Sequence, residues 1–337
     1  MIRTACFFLL LLCLGGCATA PRLEGGPRRY AGRTVVVTGA SSGFGRGIAL
    51  ALGREGANVV LAARRADLLE SAAAEIRASG GQALVQPTDV AHEPEVAALA
   101  QAAEARFGRI DVWINNAGVI ALGRFDETPL ADHDRLIDVN LKGVIYGSHH
   151  ALRRFRAQGT GVLINMGSVE SKVPLPYQAS YVASKHAVLG FDQALIQELR
   201  LGGARGVHVV TVLPWAADTP IWDHAANYTG HRVRGAPMLD GPEKIVRAVV
   251  DAGLRPRPVI AVGWKAKGAV LAHQLWPGVV EAASADVYHR KQLVMPPADA
   301  PPTSGALHAP SAVGGGVDGG ARERWPAEDA AARRAPG

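Results

Sequence analysis

The chain has 337 residues, 48% of them hydrophobic and 20% charged, a balance that supports a globular protein and excludes a wholly disordered one. Its formal charge is +6, yet no block of five like charges exists and aromatics are only 6%, so no nucleic-acid partner is expected. Thirty-nine glycines fall into no three-residue repeat, which excludes collagen.

Cys6, Cys13 and Cys17 are the only cysteines, so neither a disulfide framework nor a cysteine zinc site can stabilise the body of the chain. Arg3 precedes an uninterrupted apolar run from Ala5 to Leu14. The run is shorter than the roughly 17–25 residues that span a bilayer and fits the apolar part of a secretory signal. Leu14-Gly15-Gly16-Cys17 resembles the lipobox of bacterial lipoproteins, whose cysteine is lipidated after cleavage; an uncleaved hydrophobic anchor is the alternative. Arg22, Arg28, Arg29 and Arg33 follow the run, and cationic flanks favour the cytoplasmic side. Residues 1–17 are therefore expected to be a signal or membrane anchor and 18–32 a linker. The chain is expected at a membrane, with the cytoplasmic face favoured.

From Arg33 to Trp264 short β-branched runs alternate with longer helical stretches. Strands are expected at 34–38, 58–62, 83–86, 110–114, 161–166, 207–212 and 258–262, and helices at 66–79, 93–107, 131–155, 181–201 and 242–252. Most of the strands are continuously apolar, as in a parallel sheet covered on both faces. The alternation predicts one α/β domain, a doubly wound Rossmann-type sheet of seven parallel strands. Residues 265–295 are expected as a helical extension divided at Pro277. In 296–337, seven prolines and seven glycines make up one third of the segment, a composition that predicts a disordered tail.

The first strand runs into Thr38-Gly39-Ala40-Ser41-Ser42-Gly43-Phe44-Gly45 before a helix. Glycines there permit a tight turn and close approach of backbone N–H groups to a pyrophosphate at a helix N-terminus. The second strand ends Ala62-Ala63-Arg64-Arg65. An acidic residue that would accept from a ribose 2′-hydroxyl is missing there, and Arg64 offers a charged fork to a 2′-phosphate instead. Arg65 either joins it or begins the next helix in solvent. The expected cofactor is NADP(H).

Asn115-Asn116-Ala117-Gly118 closes the fourth strand, Asn140 follows at Val139-Asn140-Leu141, Ser168 follows the fifth strand, and then comes Tyr181-Val182-Ala183-Ser184-Lys185. By these motifs, in this order, the stretch from Arg33 to Gly263 resembles the short-chain dehydrogenases/reductases. Tyr181 and Lys185 are i and i+4 on one helix face, where an ammonium is expected to lower the phenol pKa from about 10. The resemblance implies that Tyr181 is the acid/base of a carbonyl/secondary alcohol interconversion. It also implies that Lys185 bonds the nicotinamide ribose, Ser168 holds the substrate oxygen, and Asn140 anchors a water linking Lys185 to solvent. It further implies that Asp89 and Val90 lie near the adenine, that Asn116, Ala117 and Gly118 line the cofactor, and that Pro214 and Thr219 lie beside the carboxamide. The usual Pro-Gly pair is Pro214-Trp215 here, and a tryptophan does not visit positive φ as glycine does.

The segment from Trp215 to Pro237 is expected to form a lid bearing Trp215, Ile221, Trp222, His224, Tyr228 and His231. Its aromatic side chains either face a hydrophobic substrate or pack the lid itself, and its histidines lack the partners of a metal site. Family members are commonly homo-oligomers. A non-catalytic dinucleotide-binding protein is the competing reading, and a membrane-tethered scaffold a third.

Overall fold

A computed structural model of the chain describes residues 28–234, 238–294 and 299–332. Apolar, β-branched runs form β1 (Thr34–Thr38), β2 (Asn58–Ala63), β3 (Gln82–Pro87) and β4 (Val112–Asn115), joined by α1 (Gly43–Arg54), α2 (Ala66–Ala78) and α3 (Glu93–Phe107). A two-residue strand β5 (Ala121–Leu122) precedes α4 (Leu130–Ile137) and α5 (Gly143–Gln158). Then come β6 (Gly161–Met166), α6 (Ala179–Leu201), β7 (Val207–Leu213), α7 (Ile221–His224), β8 (Ala226–Asn227), α8 (Pro242–Ala252) and β9 (Val259–Ala261). Helices α9 (Gly263–Leu275), α10 (Pro277–His289) and α11 (Ala321–Ala332) complete the order.

Seven of the strands form one parallel sheet in the order β3-β2-β1-β4-β6-β7-β9. Val36 is paired with Val60 on one side and Trp113 on the other, so β1 is central. Both faces of the sheet are covered, which is why its strands read as continuous apolar runs. Ile48, Leu52, Ile76 and Val249 pack one face, from α1, α2 and α8. Leu99, Phe155 and Leu199 pack the other, from α3, α5 and α6. Parallel pairing brings the carboxyl ends of β1, β4 and β6 to one edge, where the order reverses between β1 and β4.

Three features differ from the sequence expectation. The single helix expected over 131–155 is divided by a π-helical turn, Asp138–Lys142, which places Asn140 in the widened turn. The linker expected up to residue 32 already belongs to the domain at Tyr30, which is buried and donates its hydroxyl to Val250 O at 2.5 Å. Arg29 pairs with Glu55 at 3.0 Å and Asp251 at 2.7 Å, so this arginine fastens the domain edge. Finally, the tail described over 299–332 folds back onto the domain and ends in α11, unlike the disordered segment its composition suggests. Its backbone polar groups find partners in arginines and in the lid, which composition does not register.

The signal or lipobox reading of residues 1–17, with its three cysteines, lies outside the described residues. Among the described residues no helix is long and apolar enough to cross a membrane.

Candidate active site

The β1–α1 turn is built on close backbone approach. Gly39 has φ +66°, and a Cβ on it would lie 2.8 Å from Ala117 Cα. Thr38 fastens the facing wall, its hydroxyl accepting from Asn116 N at 3.0 Å and Ala117 N at 3.1 Å. The Asn116 amide returns a bond to Thr38 O at 2.9 Å. Thr38 was not singled out in the sequence, although a threonine directly before such a turn is the available signal.

Between these walls lies a cavity of about 230 Å³. Gly39, Ser41, Ser42, Gly43 and Phe44 line it from the turn, and Arg64, Arg65, Asp89 and Val90 from the ends of β2 and β3. Asn116, Ala117, Gly118, Ser168, Tyr181, Pro214 and Thr219 also line it, together with Ala306, Pro310 and Ser311 of the tail. Three candidates stand elsewhere. A Cβ on Gly45 would lie 2.2 Å from Gly39 O, so this glycine lets α1 approach the turn and does not line the cavity. Asn140 and Lys185 are buried behind the lining.

Helix α6 presents Tyr181 and Lys185 one turn apart. Ser168 and Tyr181 both line the cavity, and the serine side chain acts to lower the phenol pKa against the larger effect of burial. Lys185 Nζ lies 5.6 Å from the centre of the Tyr181 ring and donates to Met166 O at 2.8 Å. Ser168 also caps the short 3-10 turn Val169–Ser171, its oxygen accepting from Glu170 N at 3.1 Å. Asn140 Oδ1 accepts from Val119 N and its amide donates to Val119 O, both at 2.8 Å. Its side chain thus holds the loop after Gly118 in place.

Burial governs the electrostatics. Desolvation pushes the Tyr181 hydroxyl upward, so the expected depression by Lys185 is not the dominant influence. The same desolvation lowers Lys185 to about 8, against the pull of Glu170. Glu170 is a residue sequence reasoning missed. Its carboxyl, lining the cavity beside Ser168 and Tyr181, is pushed up to about 8 by burial, against the pull of Lys185. An acidic residue two positions after the candidate serine was the signal available. For Asp89, burial acts upward, but the bond from Arg135 at 2.5 Å and the Ala91 N–H hold the carboxyl below its ordinary range.

The lid contributes Ile221, Trp222 and His224 to the cavity. Trp222 also packs the lid, donating Nε1 to Ala217 O at 2.8 Å and meeting Trp325 edge-on. Tyr228 donates its hydroxyl to Asp132, and His231 bonds Asp299 at 3.1 Å, so both are engaged away from the reacting groups. Trp215 lines the cavity without positive φ, and Val169 N holds its loop through Pro214 O at 2.9 Å. Among the described residues no three His, Cys, Asp or Glu side chains gather as a metal site would require.

A sheet that opens a glycine-walled crevice at its switch point, with serine, tyrosine and lysine at its inner end, defines a dinucleotide-dependent oxidoreductase of Rossmann type. Residues 33–228 match the short chain dehydrogenase family, to which the chain belongs. It is 30% identical over 262 residues to the uncharacterized oxidoreductase YxnA of Bacillus subtilis, covering 77% of this chain and 73% of that protein. It is 36% identical to the probable oxidoreductase EphD of Mycobacterium tuberculosis, covering 70% of this chain but only 42% of that protein. It is also 39% identical to 3beta-hydroxysteroid dehydrogenase 1 of Eggerthella lenta, covering 64% of this chain and 85% of that protein. Among solved structures it resembles an alcohol dehydrogenase of Thermococcus sibiricus complexed with 5-hydroxy-NADP (TM-score 0.59, 28% identity, 68% of this chain and 94% of that one). It likewise resembles a short chain dehydrogenase/reductase of Burkholderia phymatum in complex with NAD (TM-score 0.65, 26% identity, 77% of this chain and 97% of that one).

Proposed function

We propose that the chain is an NADPH-dependent carbonyl reductase of hydrophobic substrates, with Tyr181 as the proton donor. The observation that carries this reading is the placement of Ser168 and Tyr181 together on the wall of the cavity that also holds the glycine turn, with Lys185 one helical turn from Tyr181 on α6. The residues fit a dinucleotide. The turn leaves no room for a Cβ at Gly39, and the guanidinium forks of Arg64 and Arg65 line the cavity where β2 ends. Without an acid at Ala63, these forks favour a 2′-phosphate, hence NADPH over NADH.

When bound, the nicotinamide supplies the hydride. Ser168 donates to the substrate oxygen and holds the carbonyl against Tyr181. The phenol, kept protonated by burial, passes its proton to that oxygen as charge develops on it. Lys185, anchored on Met166 O, places positive charge beneath the ring and eases loss of the proton. Asn140 positions the Gly118–Val119 segment. In the oxidising direction Tyr181 has to be a phenolate, which its burial opposes, so the rate of oxidation should rise with pH. Ile120, Trp215, Ile221 and Trp222 give the cavity an apolar wall. The name of the Eggerthella lenta relative, a hydroxysteroid dehydrogenase, is consistent with a hydrophobic substrate.

The test is NADPH oxidation, followed by absorbance, over a panel of aliphatic, aromatic and alicyclic ketones. Turnover of apolar ketones with higher kcat/KM for NADPH than NADH is the expected result; equal or better use of NADH removes the cofactor assignment. A binding protein without catalysis is disfavoured, since it has no need of the Ser168–Tyr181 pair. Tethering through residues 1–17 with the domain on the cytoplasmic side, and assembly into a homo-oligomer, belong to the same proposal. Protease treatment of intact cells and sedimentation of the purified protein test them.

A further inference from the structure

The tail forms part of the crevice wall, through Ala306, Pro310 and Ser311, and engages donors that a dinucleotide needs. Arg64 donates to the carbonyls of Ala306 (2.6 Å), Leu307 (3.1 Å) and His308 (3.3 Å). Arg65 donates to those of Val313 (2.9 Å), Ser311 (3.2 Å) and Gly314 (3.3 Å). Gly43 N, an orphan donor at the start of α1, donates to Gly316 O at 2.8 Å. These are the groups assigned above to the 2′-phosphate and the pyrophosphate. The tail carbonyls thereby take up donors that a phosphate would use, and Arg65 Nη2 is shared with Ser42 Oγ at 2.9 Å and Ser41 Oγ at 3.2 Å.

The docking is held by more than these bonds. Leu307 is buried, and the lid pairs with the returning chain through Asn227 N to Thr303 O at 2.8 Å. Asp218 accepts from Ala321 N and Arg322 N, both at 2.8 Å, capping α11. Trp325 meets Trp222 at 6.1 Å and lies under the Arg234 guanidinium at 5.6 Å. The glycines that make the segment look like low-complexity sequence serve close contact. Gly314 has φ +72°, and a Cβ there would lie 2.6 Å from His224 Nε2.

The geometry points to an autoinhibitory strap: residues 303–316 are a built-in occupant of the adenine and phosphate end of the crevice, and dinucleotide and tail exclude one another. Neutral carbonyls are weaker partners for guanidinium than phosphate oxygens, so the dinucleotide displaces the strap and its apparent affinity is lowered by the fraction of molecules in which the strap is closed.

The inference rests on the reading of the crevice as a dinucleotide site, and the experiment separates the two. Hydrogen–deuterium exchange of the full chain is measured with and without saturating NADPH. Kd for NADPH and for NADH is measured on the wild type and on the tail variants Gly314→Val and Trp325→Ala. The expected results are faster exchange over 303–316 when NADPH is present, and at least about fivefold tighter binding of the dinucleotide by both variants. Unchanged or slower exchange over 303–316 at saturation, or unchanged affinity in both variants, overturns the strap. Tighter binding of NADH by the variants, with NADH preferred throughout, supports the strap while defeating the NADPH assignment. Failure of every form to bind either dinucleotide defeats both.

Discussion

A carboxyl sealed beside a lysine and a phenol has its proton set by burial, and Glu170 shows how this shapes the site. Its folded pKa of about 8 lies above the ordinary 4.5. Below pH 4.5 both folded and unfolded chains carry the proton; between about 4.5 and 8 only the folded chain does. Stability from this group is therefore present at low pH and lost as pH rises through that window. Glu170→Gln removes the dependence, so its melting temperature relative to wild type should rise from pH 5 to pH 8. An equal difference at both pH values contradicts the assignment. Arg64 makes a second prediction at this scale. Loss of a charge-assisted fork should raise the KM for NADPH by about ten- to a hundredfold in Arg64→Ala, while leaving NADH no worse. Steady-state kinetics with both nucleotides check it.

At the scale of elements, the sheet was legible because burial on both faces requires uninterrupted apolar runs. The runs beginning at Thr34, Asn58, Gly161 and Val207 became strands beginning at those residues. The turn after β1 was legible for a related reason, since each glycine answers a steric demand. Gly45→Ala is expected to push its Cβ into Gly39 O and Asn116 Nδ2 and to destabilise the fold by about 1–3 kcal/mol, measurable by denaturant unfolding. The π-helical turn at Asp138–Lys142 was not legible, because one extra residue in a turn leaves the apolar pattern of α4 and α5 almost unchanged. Glu170 was passed over because a single acidic residue after a strand reads as solvated until the burial of its surroundings is known. The rise of the Tyr181 pKa was missed for the same reason. Helical spacing reports the proximity of Lys185 but not the desolvation that outweighs it.

For the whole molecule, the tail marks the largest gap between sequence and structure. Where it meets Arg64 and Arg65 it does so through main-chain carbonyls, contacts that leave no side-chain pattern to read. The domain that it covers carries its reaction groups at the inner end of the cavity, and the strap carbonyls meet the arginines at the end of β2. On the proposed reading, access and chemistry fall to separate residues. The chemistry is tested most directly by Tyr181→Phe, assayed for NADPH affinity and for ketone reduction in parallel. Removing one hydroxyl should leave the NADPH Kd within about twofold and lower turnover at least about a hundredfold. Turnover within a few-fold of wild type contradicts the account.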